Sequence, residues 1–294
     1  MVTSLPLPKE VVNLPELPEV EVTRQGLLPH VMDRRIIDIY RSPFSLRDAV
    51  SGELLGKHLR GATITGLERR AKYLLFRFAD QTVLVIHLGM TGKLGVFDPA
   101  DSRVKHDHFT MLLSDKMEVR YNDARRFGTI LIWPPEKSKK EEQRFFGSCG
   151  PEPLESEFNA KYLYEIAQKK RIPIKNFLMD SKIVVGIGNI YANEILFETD
   201  LHPGQKANTI PLATWQEVVT ATQIILRNAI AAGGTTISDF LNAGGKPGYF
   251  QIQLKVYGKT GEPCEKCSSI IVKKSMAGRA SFFCPQCQRE RSSA

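Results

Sequence analysis

Four cysteines near the end of the chain limit most strongly what this sequence can form. Cys264 and Cys267 make one CxxC pair, Cys284 and Cys287 make a second, and sixteen residues separate the two pairs. This spacing is typical of a closed structural Zn²⁺ site with four thiolate ligands. The residues between the pairs read as two short β-rich arms joined by a turn that carries Arg279. The sequence therefore predicts a β-hairpin held by one structural zinc ion.

A pair of disulfides is the alternative explanation for the four cysteines. The sequence begins without a secretory segment, and the fifth cysteine, Cys149, is single. Disulfides belong to oxidising compartments, so we expect thiolates and a metal ion. We also expect no membrane span, because the longest apolar run, residues 83–90, is far shorter than the roughly 20 residues that cross a bilayer. A cytoplasmic protein is the simplest expectation.

The charge of the chain indicates the kind of partner. The 294 residues carry a formal net charge of +8, and residues 251–294 alone contain eight Lys or Arg and three Glu. A basic segment stiffened by a metal ion suits a polyanion such as nucleic acid. A basic balance more often reflects solubility alone, so the charge only supports this interpretation.

Hydrophobic patterns predict an α+β, multidomain protein. A helix is expected from Pro18 to about Pro29, followed by strands without intervening helices, as in an antiparallel sandwich. The predicted strands are residues 36–40, 62–67, 73–78, 82–88, 109–113, 117–121 and 129–133. Two prolines and a charged run at 134–142 indicate a boundary. Beyond it the predicted helices are 158–170, 189–198 and 212–232.

Seven motifs along the chain resemble, in the same order, those of bacterial formamidopyrimidine-DNA glycosylases. They are Pro15-Glu-Leu-Pro-Glu-Val-Glu21, Arg69-Arg-Ala-Lys-Tyr-Leu-Leu75, His87-Leu-Gly-Met90, Lys105-His-Asp-His108, Arg125-Arg-Phe-Gly128, Gly186-Ile-Gly-Asn-Ile-Tyr-Ala-Asn-Glu194 and the four-cysteine finger. Any one of them would be a weak signal alone, but their common order makes chance similarity negligible. The resemblance runs from residue 15 to about residue 289.

The resemblance implies an N-terminal antiparallel β-sandwich flanked by helices, a helical helix-two-turn-helix domain and a C-terminal zinc-bound β-hairpin. The expected segments are an extension at 1–14, a catalytic sandwich domain at 15–134, a linker at 135–154, a DNA-binding domain at 155–250 and a zinc finger at 251–291. Residues 238–250 resemble the loop that covers a flipped base. The expected partner is damaged double-stranded DNA, bound by a monomer near the nucleoid of a bacterial cytoplasm.

The activity that the resemblance implies is base-excision repair of oxidised purines such as 8-oxoguanine and formamidopyrimidines, followed by β,δ-elimination at the abasic site. Pro15 matches the N-terminal proline whose secondary amine attacks the sugar C1′ and forms a Schiff base. Glu16 matches the general acid/base, Lys72 the proton donor in base loss and β-elimination, and Arg279 the fingertip arginine of δ-elimination. Without the resemblance, Glu16 would be a favourable charge in a first helical turn, and the two cations solvated surface residues.

Six residues match positions that contact DNA in the family. They are His106, Arg125 and Lys170 at the DNA backbone, Asn189 in the helix-two-turn-helix element, and Met90, Arg125 and Phe127 in the wedge that fills the stack behind a flipped base. Core packing is the other explanation for Met90 and Phe127. An endonuclease VIII type of enzyme, which prefers oxidised pyrimidines, is the alternative within this chemistry, and the wedge set argues against it.

The main departure from the family pattern is at the nucleophile. Family chains begin Met-Pro-Glu and lose the methionine, whereas Pro15 follows fourteen residues. An amide-bonded proline nitrogen has a delocalised lone pair and no proton to lose, so it cannot form the Schiff base. Translation from residue 14 on a TTG codon, proteolytic release of Pro15, or a damaged-DNA-binding zinc-finger protein without catalysis are the three explanations. A minor departure is Ser238, where relatives commonly carry a basic residue.

Overall fold

The computed structural model describes residues 15–48, 51–233, 240–241 and 254–290. The extension at 1–14, Ser238 and most of the expected lesion-covering loop lie outside the described residues. The helices are α1 (Leu17–Val31), α2 (Gly52–Leu59), α3 (Ser138–Phe146), α4 (Ala160–Ala167), α5 (Ile174–Leu178), α6 (Asn189–Glu198) and α7 (Leu212–Ala231). The strands are β1 (Ile36–Arg41), β2 (Ile64–Arg70), β3 (Tyr73–Phe78), β4 (Val83–His87), β5 (Gly92–Phe97), β6 (Asp107–Leu113), β7 (Glu118–Asp123), β8 (Thr129–Trp133), β9 (Phe240–Leu241), β10 (Val272–Met276) and β11 (Arg279–Phe283).

The first eight strands form the two layers of a β-sandwich. One sheet has the order β1-β6-β7-β5 and the other β2-β3-β4-β8, with antiparallel pairing throughout these strands. The short strand β9 adds to β5 in parallel. Apolar side chains from both sheets meet between the layers, among them Phe76, Leu84 and Phe109, each at most 1% exposed. The strands are apolar on the buried face because alternate residues of a strand point to one side.

A separate helical region is built around α6 and α7. Its core includes Trp215, Tyr191 and Phe177, and Leu17 from the start of α1 also joins it. The packing of α1 against both α7 and β2 connects this core to the sandwich. None of the helices in the described part of the chain is long and apolar enough to cross a membrane.

The expectation of an α+β fold with a sandwich, a helical region and a terminal hairpin is confirmed. Three details of the predicted sandwich were wrong. Strands were expected to follow without helices, but α2 lies between β1 and β2, where only Leu55 and Leu59 are fully buried. The prediction also missed β5, whose two glycines obscure the strand pattern. Helix α1 passes Pro29 and ends at Val31, because a proline in the last turn removes only one hydrogen bond.

The charged run after the sandwich was expected to be a linker, but part of it is helical. Residues 138–146, within the expected linker, form α3. Glu142 accepts from the Arg77 guanidinium of β3 at 2.6 and 2.7 Å, and Phe146 packs against Trp133 and Leu75 on the outer face of the second sheet. An ion pair and a few aromatic residues at the end of the charged segment therefore anchor this helix to the sandwich.

Candidate active site and DNA interface

Pro15 and Glu16 lie at the start of α1, and both are buried. The chain enters the helix with two fixed contacts: the Glu16 amide donates to Glu19 Oε2 at 3.0 Å, and the Leu17 amide donates to the Gly186 carbonyl at 3.0 Å. A carboxylate three residues into a helix commonly accepts from the capping residue in this way. These contacts hold Pro15 against the segment that leads into α6.

The Glu16 carboxylate sits at the N-terminus of α6. It accepts hydrogen bonds from the amides of Gly188 at 2.7 Å, Ile190 at 2.8 Å and Tyr191 at 3.4 Å. The free amides and the positive end of a helix dipole stabilise an anion in such a position. Burial nevertheless dominates, and it raises the pKa of Glu16 above its ordinary value, with Lys72 and the amides acting in the opposite direction.

Lys72 lies on the turn between β2 and β3 and points to the same place. A Cβ atom on Gly188 would collide with the carboxyl group of Glu16 and would lie 2.7 Å from Lys72 Nζ. Glycine at this position therefore allows the acid and the amine to approach each other across the backbone. Burial lowers the pKa of Lys72, while the charges of Glu16 and Glu19 partly restore it.

Two neighbours of this pair were not singled out from the sequence. Glu19 is buried and accepts from the Tyr191 hydroxyl at 2.8 Å, so it links α1 to α6 directly beneath the site. His87 at the end of β4 and Lys72 both line a cavity of about 380 Å³. Burial, followed by the charges of Lys72 and Arg47, lowers the pKa of His87 to about 4. The only sequence signal for these residues was their place inside longer motifs.

Arg279 approaches the site from the zinc-finger hairpin. It is the first residue of β11, directly after a turn in which Ala277 and Gly278 both have positive φ angles of 48° and 75°. Such a two-residue turn suits the twist of a hairpin. The guanidinium is exposed, and its charge contributes to the lowered pKa of Lys72. The fold thus brings together Pro15, Glu16, Lys72 and Arg279, which are far apart in sequence.

Lys175 binds the strand that carries Arg279. Its ammonium group is buried and donates to the Ala280 carbonyl at 2.6 Å and to Ser281 Oγ at 2.8 Å. Burial, followed by the charge of Arg279, lowers the pKa of Lys175 to about 8. A lysine on α5 therefore fixes the strand that carries Arg279. Sequence analysis missed it because an isolated lysine in a short helix usually faces solvent.

The three wedge residues lie on two adjacent loops of the sandwich. Met90 follows β4, while Arg125 and Phe127 are exposed on the loop between β7 and β8, with the Arg125 guanidinium 4.7 Å from the Phe127 ring centroid. The loops touch so closely that a Cβ atom on Gly89, where φ is +71°, would overlap the backbone of Phe127 and Gly128.

Asp123 organises both wedge loops and was also missed from the sequence. It is fully buried at the end of β7. One carboxylate oxygen accepts from the Gly128 amide at 2.8 Å and from the Tyr121 hydroxyl at 3.1 Å. The other accepts from Thr91 Oγ1 at 2.5 Å and from the Arg125 amide at 3.3 Å. A buried carboxylate with four donors fixes the loop that presents the exposed wedge residues.

The remaining expected contact residues lie on three different segments of the chain. His106 has a φ of +76°, and its carbonyl accepts from the Asp123 amide at 3.0 Å, so it borders the wedge loop. Asn189 is the first residue of α6, beside the amides that hold Glu16. Lys170 follows α4 and lies 3.8 Å from Asp180 in a partly exposed ion pair.

The four finger cysteines form one closed cluster. Their sulfur atoms all lie within 4.8 Å of one another, with Cys264 and Cys287 at 3.9 Å and Cys267 and Cys284 at 3.5 Å. Four thiolates around Zn²⁺ at about 2.3 Å have sulfur–sulfur separations of this size. Cys149 lies elsewhere, beside the aromatic cluster of α3. The donor set and spacing fit one structural zinc ion, as the sequence predicts.

The finger is attached to α6 through hydrogen bonds from several of its residues. The Glu194 carboxylate accepts from the amides of Lys255, Val256 and Tyr257 at 2.8, 3.0 and 2.8 Å. Asn193 Oδ1 accepts from the Phe282 amide at 2.9 Å. One helix therefore holds the Glu16 carboxylate at its N-terminus and the finger along its side.

Known proteins with similar sequences identify the family of this chain. A curated formamidopyrimidine-DNA glycosylase of Vibrio cholerae is 44% identical over 275 residues, which cover 94% of this chain and all of the relative. The corresponding protein of Psychromonas ingrahamii is 44% identical over 278 residues with the same coverage. The chain belongs to the formamidopyrimidine-DNA glycosylase family. The sequence model of the family's N-terminal domain matches residues 14–130, that of its H2TH domain 149–241, and the zinc finger found in FPG and IleRS 261–289.

Solved structures of the formamidopyrimidine-DNA glycosylase family have the same fold. A Lactococcus lactis FPG mutant in complex with Fapy-dG-containing DNA superimposes with a TM-score of 0.85 at 35% identity, covering 94% of this chain and all of that chain. The Lactococcus lactis protein with abasic-site DNA gives a TM-score of 0.84 at 36% identity and the same coverage. A further complex of that protein contains an oxidised pyrimidine.

Proposed function

We propose that this chain is a base-excision-repair DNA glycosylase that removes oxidised purines, such as 8-oxoguanine and formamidopyrimidines, and then cleaves the abasic site by β,δ-elimination. The observation that carries this proposal is the meeting of Glu16 and Lys72 across Gly188, directly beside Pro15. Burial shifts the pKa values of this acid and this amine toward each other. Two groups perturbed in this way are the usual signature of proton transfer at a reaction centre.

The chemistry assigns a role to each member of the cluster. The Pro15 amine forms a bond to C1′ and loses its proton, while the bond from C1′ to the damaged base breaks and the base leaves with the electron pair and a proton. Glu16, whose raised pKa leaves more of it protonated near neutral pH, gives a proton to O4′ as the sugar ring opens to the iminium. Lys72 donates to the leaving base and acts again in β-elimination. Arg279 binds the phosphate that leaves in δ-elimination.

This chemistry requires a free Pro15 amine. We therefore infer that the active form begins at Pro15, either because translation starts at residue 14 or because a protease removes the extension. The match to the family's N-terminal domain, which begins at residue 14, supports this assignment. A chain that retains residues 1–14 would bind damaged DNA through the same surface without forming the Schiff base.

The DNA surface in this proposal runs from the wedge to the fingertip. Met90, Arg125 and Phe127 fill the stack behind the flipped base. His106, Arg125 and Lys170 contact the DNA backbone, and Asn189 binds DNA from the helix-two-turn-helix element. The division into an extension, sandwich domain, linker, helix-two-turn-helix domain and finger follows the boundaries expected from the sequence. Bacterial relatives and a DNA substrate favour a monomer acting at the nucleoid in the cytoplasm.

Borohydride trapping on an 8-oxoguanine:cytosine duplex tests the proposal. The 294-residue chain and a form processed to begin at Pro15 are compared, because borohydride reduces and fixes only a Schiff base. We expect a covalent adduct from the shortened form alone. Glu16→Gln in that form should slow trapping by about 10² to 10⁴, the usual contribution of a positioned proton donor. Glu198→Gln, an exposed carboxylate on α6, is the matched control.

The other outcomes are equally informative. If both forms bind damaged DNA specifically and neither forms an adduct, the function is binding of damaged DNA without catalysis. An adduct from both would assign the attack to another amine, such as Lys72. A faster reaction on thymine glycol than on 8-oxoguanine would replace the purine assignment with an endonuclease VIII type of specificity.

A further inference from the structure

Phe44 is an exposed aromatic residue to which the chemistry above gives no role. It lies on the segment after β1 and is 58% exposed, more than the wedge residue Phe127 at 45%. An exposed phenylalanine alone is unremarkable on a protein surface. This one has two defined neighbours. The His108 ring meets it edge-on with centroids 6.2 Å apart, and the Arg126 guanidinium lies 5.5 Å from its centroid.

The segment that carries Phe44 is fixed to the wedge loop and its neighbour strand. The Ser42 amide donates to the His108 carbonyl at 2.9 Å, and the Ser42 hydroxyl lies 2.8 Å from His108 Nδ1. At the far end, the Arg47 amide donates to the Gly128 carbonyl at 3.1 Å. Phe44 is therefore held in place relative to the wedge rather than carried on a free loop.

The loop between β7 and β8 carries two successive arginines, and each stacks on an exposed aromatic ring. Arg125 covers Phe127, and Arg126 covers Phe44. Arg126 has a φ of +57°, a left-handed conformation that costs a non-glycine residue about 1 kcal/mol or more. This conformation directs successive side chains to different rings. Strain of this kind is concentrated at functional sites.

The structure shows no ion pair for either arginine within the residues that it describes. Among the residues that the structure describes, neither Arg125 nor Arg126 has a carboxylate within the ion-pair distance, although arginines elsewhere in the sandwich, such as Arg69 and Arg120, do. Guanidinium groups stacked on aromatic rings keep their N–H edges free for phosphate. An exposed ring beside an unpaired cation suits a polyanion whose backbone also offers apolar sugar faces.

We propose that Phe44 is a further DNA-contact residue, which orients Arg126 toward a phosphate and packs its ring against the adjacent deoxyribose. Phe44 and Arg126 together add DNA contacts beside those of the wedge loop. This inference rests on the proposed function, because it takes duplex DNA as the partner. A contact of this kind affects affinity for every sequence, whereas the wedge discriminates at the lesion.

The test measures binding of a duplex that contains tetrahydrofuran, an abasic-site analogue, and of the undamaged duplex, in the 294-residue chain and in the form that begins at Pro15. Phe44→Ala should weaken binding of both duplexes by about tenfold, within the range of aromatic contacts with nucleic acids. Phe44→Leu, which keeps apolar volume without the π face, should give an intermediate loss. Ile37→Ala, at another exposed apolar residue in the preceding strand β1, is the control and should bind like wild type.

Salt dependence separates the orienting role from simple packing. Arg126→Ala should lower the slope of log affinity against log salt by about one, as expected for one lost phosphate contact. If Phe44 orients Arg126, the double variant binds no worse than the Arg126→Ala variant by more than about twofold. Fully additive losses would overturn the orienting role.

Binding by Phe44→Ala within twofold of wild type, with trapping by the Pro15 form intact, would overturn this inference and leave the proposed function standing. Absence of both trapping and damage-specific binding in the unsubstituted protein would overturn both. Thermal melting of each variant distinguishes loss of contact from loss of fold, and we expect no change because Phe44 is mostly exposed.

Discussion

The β-sandwich and the zinc finger reach stability by opposite means. The sandwich encloses more than twenty buried apolar residues, contributed by two sheets and the helices beside them. The finger cluster contains six buried residues in the described part of the chain, of which Phe197 belongs to α6 and two are the ligands Cys264 and Cys284. The sandwich therefore depends on its own core, whereas the finger depends on a metal ion and on a neighbouring helix.

This difference matters for the proposed function because each region supplies part of the proposed site. The sandwich provides Lys72 and the wedge, the finger provides Arg279, and α6 connects the finger to Glu16. A region without its own core can approach DNA as a thin hairpin. The position of the finger is then fixed by polar contacts with α6, and single substitutions can remove these contacts separately.

Removal of zinc should have the largest effect and should be confined to the finger. A structural zinc ion contributes on the order of 10 kcal/mol to folding such a module, so chelation should unfold residues 254–290 and abolish DNA binding. Hydrogen exchange should show lost protection at β10 and β11 with the sandwich unchanged. Cys284→Ser should reproduce this result and Cys149→Ser should not. Protected hairpin amides in the metal-free protein would contradict the comparison.

Truncation of a side chain in the sandwich core should destabilise the sandwich and leave the zinc finger intact. Phe76 is fully buried between the sheets, and Phe76→Ala should lower the free energy of unfolding by about 3–5 kcal/mol. Zinc content should stay at one ion per chain, measured by metal analysis beside denaturant unfolding. The control variant Ile37→Ala, at an exposed residue of β1, should change stability by less than about 0.5 kcal/mol. Loss of zinc together with the sandwich would show that the two regions unfold as one unit.

Glu194→Gln should separate docking of the finger from metal binding. The substitution removes the charge that three amides share and directs an NH₂ group at a cluster of donors, which should weaken docking by about 1–3 kcal/mol. Exchange of the amides of Lys255, Val256 and Tyr257 should accelerate while zinc affinity is retained. Glu198→Gln, whose carboxylate makes an exposed ion pair with Lys255 at 3.0 Å, is the control and should have a small effect. Unchanged exchange in the Glu194→Gln variant would remove this carboxylate from the docking contacts.

The smallest expected effect is a pH dependence that belongs to the sandwich. Burial lowers the pKa of His87 from an ordinary value near 6.5 to about 4. Between these values the unfolded chain binds more protons than the folded one, so stability falls as the pH falls. We expect a loss of about 1 kcal/mol between pH 6.5 and 5.5 that is missing in the His87→Gln variant. Equal pH profiles for the two proteins would exclude His87 as the cause.

Local sequence patterns predicted the regular parts of both regions. Strand-like apolar runs predicted β3, β4 and β8 to within one residue and β6 to within two, and the CxxC pairs predicted the hairpin with Arg279 at its turn. The pattern failed at β5, where two glycines replace side chains, and at α2, which buries few residues. It also failed at α3, where the charged run is held by the Glu142–Arg77 ion pair and by aromatic residues at its end. In each case, tertiary contacts rather than local preference fix the element.

The candidate site shows the same division. Motif order identified the chemical groups, including Pro15, Glu16, Lys72 and Arg279. It did not indicate Asp123 next to the wedge loops or Lys175 next to the strand of Arg279, and it contained Glu194 without giving it a role in holding the finger. Each of these is a buried charge with several hydrogen-bond partners. The partners of Lys175 and Glu194 are distant in sequence, and those of Asp123 include Thr91 on the neighbouring loop, so their roles depend on neighbours that only folding supplies.

The sequence by itself determined the family and the four-cysteine metal site, and it supplied the proposed reacting groups, because ligand spacing and ordered motifs are properties of the chain. The tertiary structure decided that the groups meet. Glu16 comes from α1, Lys72 from a strand turn and Arg279 from the finger, and their shared environment is created by Gly188 and the N-terminus of α6. Burial at that meeting point shifts the pKa values of Glu16 and Lys72, and burial is a property of the folded chain alone.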